Sequence, residues 1–282
     1  MPTFDTPEPI TVTFHVEVGA VHLAAEDRRD TVVEVRPHSD ADATDAKAAE
    51  QTRVTYADGE LQIRSGRGRP IFGRPGAVAV RITLPEGSQV HGTTSLVDVS
   101  AQGRLGECRL KTAVGHIRLD EAGPVRLTTQ HGNIGVARVT GDAEIGSGIG
   151  EVRVGTLAGA GEIKSTQGDV RVAEAVGALR LKVANGNIRI GRALAGVAAT
   201  SARGNARVDQ AVRGAVELET RSGDLEVGIP EGTAAWLDID SRLGNVRTTL
   251  DAAEGPGDEA ATVEVRARTG IGDILVRRPT GA

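Results

Sequence analysis

Glycine recurs at a nearly constant interval through most of this 282-residue sequence. The stretches GDVRV (168–172), GNIRI (186–190) and GNARV (204–208) follow one another at intervals of 18 residues. Self-similarity with a period of about 20 residues is typical of solenoid proteins, in which each unit buries its apolar edge against its neighbours. The corresponding glycines are Gly115, Gly132, Gly150, Gly168, Gly186, Gly204, Gly223, Gly244 and Gly272, with Val97 in the equivalent place one unit earlier.

Apolar residues alternate on both sides of each repeated glycine. Around Gly186 they are Leu179, Leu181, Ile188 and Ile190, a period-two pattern that predicts two short strands per unit with inward aliphatic side chains. Aromatic residues make up only 2% of the chain against 37 glycines, which favours thin, stacked strands over packed helices. We therefore predict an all-β, single-stranded parallel β-solenoid of about ten coils. The hexapeptide repeat of left-handed β-helices is missing, which favours right-handed coils.

Two further columns accompany the glycine. The residue after it is usually Asp or Asn, which predicts an Asx-type corner. Three residues before it stands a Ser or Thr in nearly every unit, such as Thr129, Ser165 and Ser201. By strand parity this hydroxyl points inward, where it can satisfy backbone groups of the corner. Both columns are interpreted as structural.

Residues 1–89 do not show the glycine period. They contain alternating segments such as ITVTFHVEVGAVHLAA (10–25), TVVEVRP (31–37) and VAVRITLP (78–85), with a helix-permissive piece at 42–51. Because an open solenoid end exposes an unpaired edge, an atypical terminal segment is expected to cover it. We predict an N-terminal antiparallel β cap over 1–89, followed by solenoid repeats with a C-terminal cap over 90–282.

Several motifs resemble those of a bacterial family of β-strand-repeat proteins, labelled a "putative adhesin" domain of unknown function. They are FDTPEPITVTFHVEVG (4–19), LPEGSQV (84–90), the GDI-like units, VGIPEGTAAWLDIDSRLGNVRTTL (227–250) and VEVRARTGIGDILVRR (263–278). The resemblance covers nearly the whole chain. It implies a β-solenoid fold and supplies no catalytic or binding residues.

The charge and hydropathy patterns exclude some classes of function. With 33 basic and 38 acidic residues, the formal charge is −5, so dedicated nucleic-acid binding is not expected. The sequence contains no run of about 18 apolar residues, so no transmembrane segment is predicted. The first residues show no signal-peptide pattern and there is a single cysteine, Cys108, from which we predict a cytoplasmic location.

No catalytic residue, metal site or cofactor is predicted. His116 and His131 lie in neighbouring units but on different sides of their glycines, and no third zinc ligand is evident. Cys108 falls in an inward column and is expected to be a reduced, buried core residue. The protein is therefore expected not to be an enzyme.

One outward column carries a candidate binding site. Three places after the glycine, four successive units have arginine, which stacking would align about 4.8 Å apart in one row. Like charges in direct opposition are mildly destabilising, so either nearby acids offset them or the row serves an anionic partner. The four residues, called the arginine row below, are Arg153, Arg171, Arg189 and Arg207.

Three classes of function remain open from the sequence. The first is a non-enzymatic binding protein that contacts an unknown protein or an anionic polymer through the arginine row. The second is a scaffold that forms a homo-oligomer end to end through its last coil, whose edge is exposed unless the tail RRPTGA (277–282) covers it. The third is an enzyme with a site that the sequence does not reveal.

Overall fold

The computed structural model describes residues 2–65, 75–250 and 261–279. The described chain is nearly all β and divides into two compact units, Met1–Ala137 and Arg138–Ala282. The segment DAAEGPGDEAAT (251–262), whose composition predicts a surface loop, lies outside the described residues except for its last two positions. Residues 280–282, the end of the tail, also lie outside the described residues. The predicted boundary between 89 and 90, like the handedness of the coils, stays a prediction.

The first unit contains one short helix and long strands. Helix α1 spans Ala43–Gln51 and begins after Asp42, whose side chain accepts a hydrogen bond of 2.8 Å from the Thr44 amide. The strands are β1 Thr3–Asp5, β2 Thr11–Glu26, β3 Asp30–Pro37, β4 Arg53–Ala57, β5 Glu60–Arg64, β6 Val78–Pro85, β7 Gln89–Leu105, β8 Cys108–Val114, β9 Ile117–Ala122 and β10 Val125–His131, and β11 follows at Ile134–Val139.

The predicted antiparallel cap is present, but it is smaller than expected. Antiparallel pairs join β1 to β3, β3 to β6 and β4 to β5. Strand β2 instead pairs in parallel with β5, β6 and β7, so it behaves as a coil of the solenoid. Its Gly19 has φ +134°, the same conformation as the repeated glycines. The expectation that residues 1–89 lack the repeat pattern is therefore wrong for β2.

The second unit consists of paired short strands. They are β12 Ala143–Ile149, β13 Val152–Leu157, β14 Gly161–Gln167, β15 Val170–Ala175, β16 Leu179–Asn185, β17 Ile188–Ala193, β18 Val197–Arg203, β19 Ala206–Ala211, β20 Gly214–Ser222, β21 Leu225–Gly228, β22 Thr233–Leu243, β23 Val246–Thr248, β24 Ala261–Ile271 and β25 Ile274–Arg277.

Successive coils of this unit stack in register, as the repeat predicts. Ile163 is paired with Leu181, and Val170 with Ile188, each 18 residues further along the chain. The pairing is parallel throughout, which confirms the β-solenoid. Inward side chains such as Ile163, Val170 and Ile190 are fully or almost fully buried, so the core is a stack of aliphatic layers.

The corners show why glycine is required. Gly186 has φ +149°, and a Cβ placed on it would lie 2.2 Å from the carbonyl oxygen of Gly168 in the adjacent coil. Several inward hydroxyls bind these carbonyls, as Thr220 Oγ1 donates to the Gly204 oxygen at 3.1 Å, whereas Ser165 Oγ is buried without a partner among the described residues. The Asp and Asn side chains bond between coils rather than within one corner, since Asp169 Oδ1 accepts from the Asn187 amide at 2.9 Å.

The last two coils are not stacked in chain order. Strand β24 pairs with β20 on one side and β22 on the other, and β25 lies in the same way between β21 and β23. Strands β24 and β25 form the last coil in the sequence, but in space this coil lies between the coil of β20 and β21 and the coil of β22 and β23. The expectation that the last coil in sequence carries the exposed edge is wrong: β22 and β23 form the end of the stack, called the terminal coil below.

Candidate functional site

The arginine row has the geometry that the sequence predicts. Parallel pairing sets Arg153 opposite Arg171, Arg171 opposite Arg189, and Arg189 opposite Arg207. All four side chains point away from the core, because the residues on either side of each are buried aliphatics. The strands therefore align four guanidinium groups on one outer face of the second unit.

Carboxylates stand between these guanidinium groups. Glu151 contacts both Arg153, at 2.6 Å, and Arg171, at 2.9 Å. Asp209 contacts both Arg189, at 3.0 Å, and Arg207. The network continues through Asp169, 3.5 Å from Arg171, and Glu226, which lies 2.8 Å from Arg207 and 2.6 Å from Arg277.

The contacts of Asp209 with Arg189 and Arg207 determine its protonation state. Burial alone would raise the pKa of Asp209, but hydrogen bonds and charges from Arg207 and Arg189 outweigh it and lower that pKa. The side-chain hydrogen bond that Arg207 donates to Asp209 in turn raises the pKa of Arg207. Asp209 is thus held as a carboxylate between two guanidinium groups. The ion pairs form two clusters: Arg153 and Arg171 share Glu151 and Asp169, and Arg189, Arg207 and Arg277 share Asp209 and Glu226.

A second surface was not identified from the sequence. In the terminal coil, Trp236 is 59% exposed, Leu243 67% and Val246 45%, and Ile271 beside Leu243 is 56% exposed. Val246 occupies an inward column, and its partner Ile274 in the adjacent coil is only 1% exposed. Val246 is therefore exposed in a column that the interior coils bury. Leu243 lies in a column that is exposed in other coils too, as Ile149 and Ile271 show. Only the order of the coils, which the sequence does not reveal, exposes Val246.

The remaining candidates have structural roles. Cys108 is fully buried, as predicted, and burial followed by the charge of Glu107 raises the pKa of its thiol to about 12. It is protonated at neutral pH and a poor nucleophile. His116 takes the place of Asp or Asn at its corner, since its Nδ1 accepts from the Asn133 amide at 3.0 Å. In the described ranges no three His, Cys, Asp or Glu side chains are grouped to hold a metal ion, and no helix there could cross a bilayer.

Parallel coils with glycine corners, aliphatic layers and hydroxyl ladders define a β-solenoid protein. The profile of the Toastrack DUF4097 family matches residues 14–278, and the chain belongs to this family. No curated protein matches the chain.

Two solved bacterial structures are similar to this chain over nearly its whole length. A "putative lipid binding protein" from Parabacteroides distasonis is 12% identical, with 96% of this chain and 95% of that chain covered and a TM-score of 0.41. A "putative adhesin" from Bacteroides fragilis is 14% identical, with 98% and 95% covered and a TM-score of 0.36.

Proposed function

We propose that this chain is a non-enzymatic interaction protein that associates with a second copy of itself through the terminal coil. The observation that carries the proposal is the exposure of Val246, an inward-column aliphatic, together with that of Leu243 at this end of the second unit. Contiguous exposed apolar surface with polar surroundings marks interaction sites in soluble proteins. This function is a form of the end-to-end scaffold that the sequence left open, with the contact moved from the last coil in sequence to β22 and β23.

The outer edge of β22 is free to pair. Within residues 75–250 and 261–279, β24 is the only strand that pairs with β22, so the backbone groups on its other side have no ladder partner. An unpaired strand edge is a template for another strand. Association through it would bury Val246 and Leu243 and satisfy these backbone groups together.

The side chains of β22 favour pairing with a second β22. In an antiparallel pair centred on Asp240, Asp238 of each copy stands opposite Arg242 of the other, which gives two symmetry-related ion pairs. Leu237 stands opposite Leu243 in the same register. Asp240 would face its counterpart, but its neighbour on β24 is Arg268, whose charge offsets the repulsion. The strand is therefore self-complementary, as a two-fold interface requires.

The prediction is that replacing Leu243 and Val246 by Lys gives a monomer. Both side chains are exposed, so the fold should persist, while two charges at the edge oppose strand pairing. The wild-type chain should sediment as a dimer at micromolar concentration in analytical ultracentrifugation. The matched control carries Lys at Ile149 and Val176, which are 47% and 37% exposed in interior coils, and should remain dimeric. A wild-type monomer at every concentration would contradict the proposal.

The arginine row supports a second candidate function, binding of an anionic partner. In the cluster of Arg189, Arg207 and Arg277, three arginines share two carboxylates, which leaves one positive charge in excess, and the row presents forked donors at the strand spacing. An anion would have to compete with the carboxylates already in place. Binding would therefore be electrostatic and weakened by salt.

The prediction for this candidate concerns a variant with Gln at Arg153, Arg171, Arg189 and Arg207. If the row binds anions, the variant should elute from an anionic resin, and release native partners, at lower salt than the wild type. The charge-matched control has Gln at four exposed arginines that are ion-paired elsewhere: Arg104, Arg109, Arg266 and Arg268. Equal retention of the two variants would mean that the row is only a solvated, paired face.

A further inference from the structure

A row of basic side chains crosses the outer face of the first unit. Pairing sets Arg53 of β4 opposite Arg64 of β5, Arg64 opposite His15 of β2, and His15 opposite Thr93 of β7. These four side chains are consecutive neighbours across four strands, and all of them are exposed. Arg53 and Arg64, with the imidazole of His15 next to them, are called the cationic row below.

No carboxylate neutralises the cationic row, in contrast to the arginine row of the second unit. In the part of the chain that the structure describes, Arg53 and His15 make no ion pair, and Arg64 donates only a long bond of 3.4 Å to Gln62 Oε1. The nearest acid on β5, Glu60, accepts instead from Thr13 Oγ1 at 3.0 Å. Two arginines in direct opposition without an acid between them destabilise the sheet. An anionic ligand would remove this cost.

The cationic row borders a cavity of about 600 Å³. This volume lies within the usual range for small-ligand sites. Hydroxyl groups of Thr93 and Ser65 also line it, as does Thr13, whose own hydroxyl donates to Glu60, and the described lining contains no Asp or Glu. The cavity therefore gathers hydrogen-bond donors around an excess of positive charge.

An unsatisfied imidazole lines the same cavity. His91, opposite Thr13 in the β2–β7 pair, has a buried Nε2 atom with no hydrogen-bond partner. A buried polar atom without a partner is destabilising and uncommon in native proteins. That this atom finds no partner among the described residues is independent of the charge argument and points to a polar ligand in the cavity.

We propose that this cavity binds a phosphoryl group. Two guanidinium groups on adjacent strands offer more forked donors than the two oxygens of one carboxylate can use, whereas the three oxygens of a phosphoryl group can accept from both arginines and from a hydroxyl. The phosphoryl group can belong to a soluble phosphate or to a lipid headgroup. The cavity lies in the first unit and is independent of the association proposed for the terminal coil.

The test compares two probes, inorganic phosphate and vesicles of phosphatidylcholine with phosphatidic acid. Phosphate binding is followed by 31P NMR against chloride at equal ionic strength, and vesicle binding by co-sedimentation against pure phosphatidylcholine. The variant with Gln at Arg53 and Arg64 should bind about tenfold more weakly or worse, because it loses two charge-assisted contacts. Lys at both positions should restore only part of the affinity, since the charge returns without the fork.

The matched control has Gln at Arg36 and Arg104, two exposed arginines that are ion-paired with Glu34 and Glu86 and belong to neither row. It should bind like the wild type. If the wild type binds phosphate and the variant with Gln at Arg53 and Arg64 does not, the ligand is a soluble phosphate. If the wild type binds only the vesicles and this variant does not, the ligand is a lipid headgroup. Both outcomes support the site. Absence of binding to either probe at low salt, or an equal loss in the control, would overturn the proposal.

Discussion

Removal of residues 169–186 should leave a folded protein that is one coil shorter. The deletion joins Gly168 to Asn187, so the corner sequence stays Gly-Asn-Ile, and β14 acquires β18 as its new neighbour. Ile163 would then face Ala199, and Ser165 would face Ser201, which keeps inward residues inward. Because each coil contacts only its neighbours, the remaining contacts are the same in kind.

The measurements for this deletion are circular dichroism and urea unfolding. A cooperative transition is expected, with an m value reduced roughly in proportion to the residues removed. The control deletion, 169–177, removes half a coil and places later corner glycines such as Gly186 against the other corner of the stack. This control should be unfolded or insoluble. If the 18-residue deletion behaves like the control, the coils are not independent modules.

Replacement of Gly186 by Ala should destabilise the protein by at least about 3 kcal/mol. Two causes act together at this corner. The residue has φ +149°, which a side chain resists, and the new Cβ would meet the Gly168 carbonyl oxygen at 2.2 Å. That oxygen belongs to the backbone of the adjacent coil, so relief of the clash requires the coils to separate. Urea denaturation of the purified variant measures the loss.

The control for Gly186 is Gly135→Ala. Gly135 does not have a positive φ, and nothing lies within 4 Å of a Cβ placed there. This change should be neutral or stabilise slightly, because alanine has less freedom to lose on folding. Equal effects at the two positions would refute the role of the corner.

The repeat could be predicted from residue spacing because solenoid contacts are local and periodic. Each inward residue meets the equivalent residue of the next coil, so the 18-residue period predicts both the strands and pairs such as Arg171 with Arg189. The same pattern is present around Gly19, with Val21 and Leu23 after it and Val16 and Phe14 before it. The period does not reveal this coil, because the next equivalent position, Val97, is 78 residues away.

The chemistry of the arginine row was only half predictable. The arginines align because each stands three residues after its glycine. The acids that pair with them come from other columns, as Asp209 and Glu226 show. The cationic row escaped prediction for a related reason. Arg53 and Arg64 belong to an antiparallel pair and His15 to a parallel one, and no single period relates the three positions.

The sequence by itself determined the strands, the corners and which residues of two stacked coils pair, since glycine conformation and alternating burial are properties of each unit. Only the tertiary structure decided which coils are neighbours. All coils present edges of the same kind, so the local pattern is satisfied equally well by β22 or by β24 next to β20, and the fold places β24 there. That choice exposes Val246 at the end of the stack and creates the surface proposed for self-association.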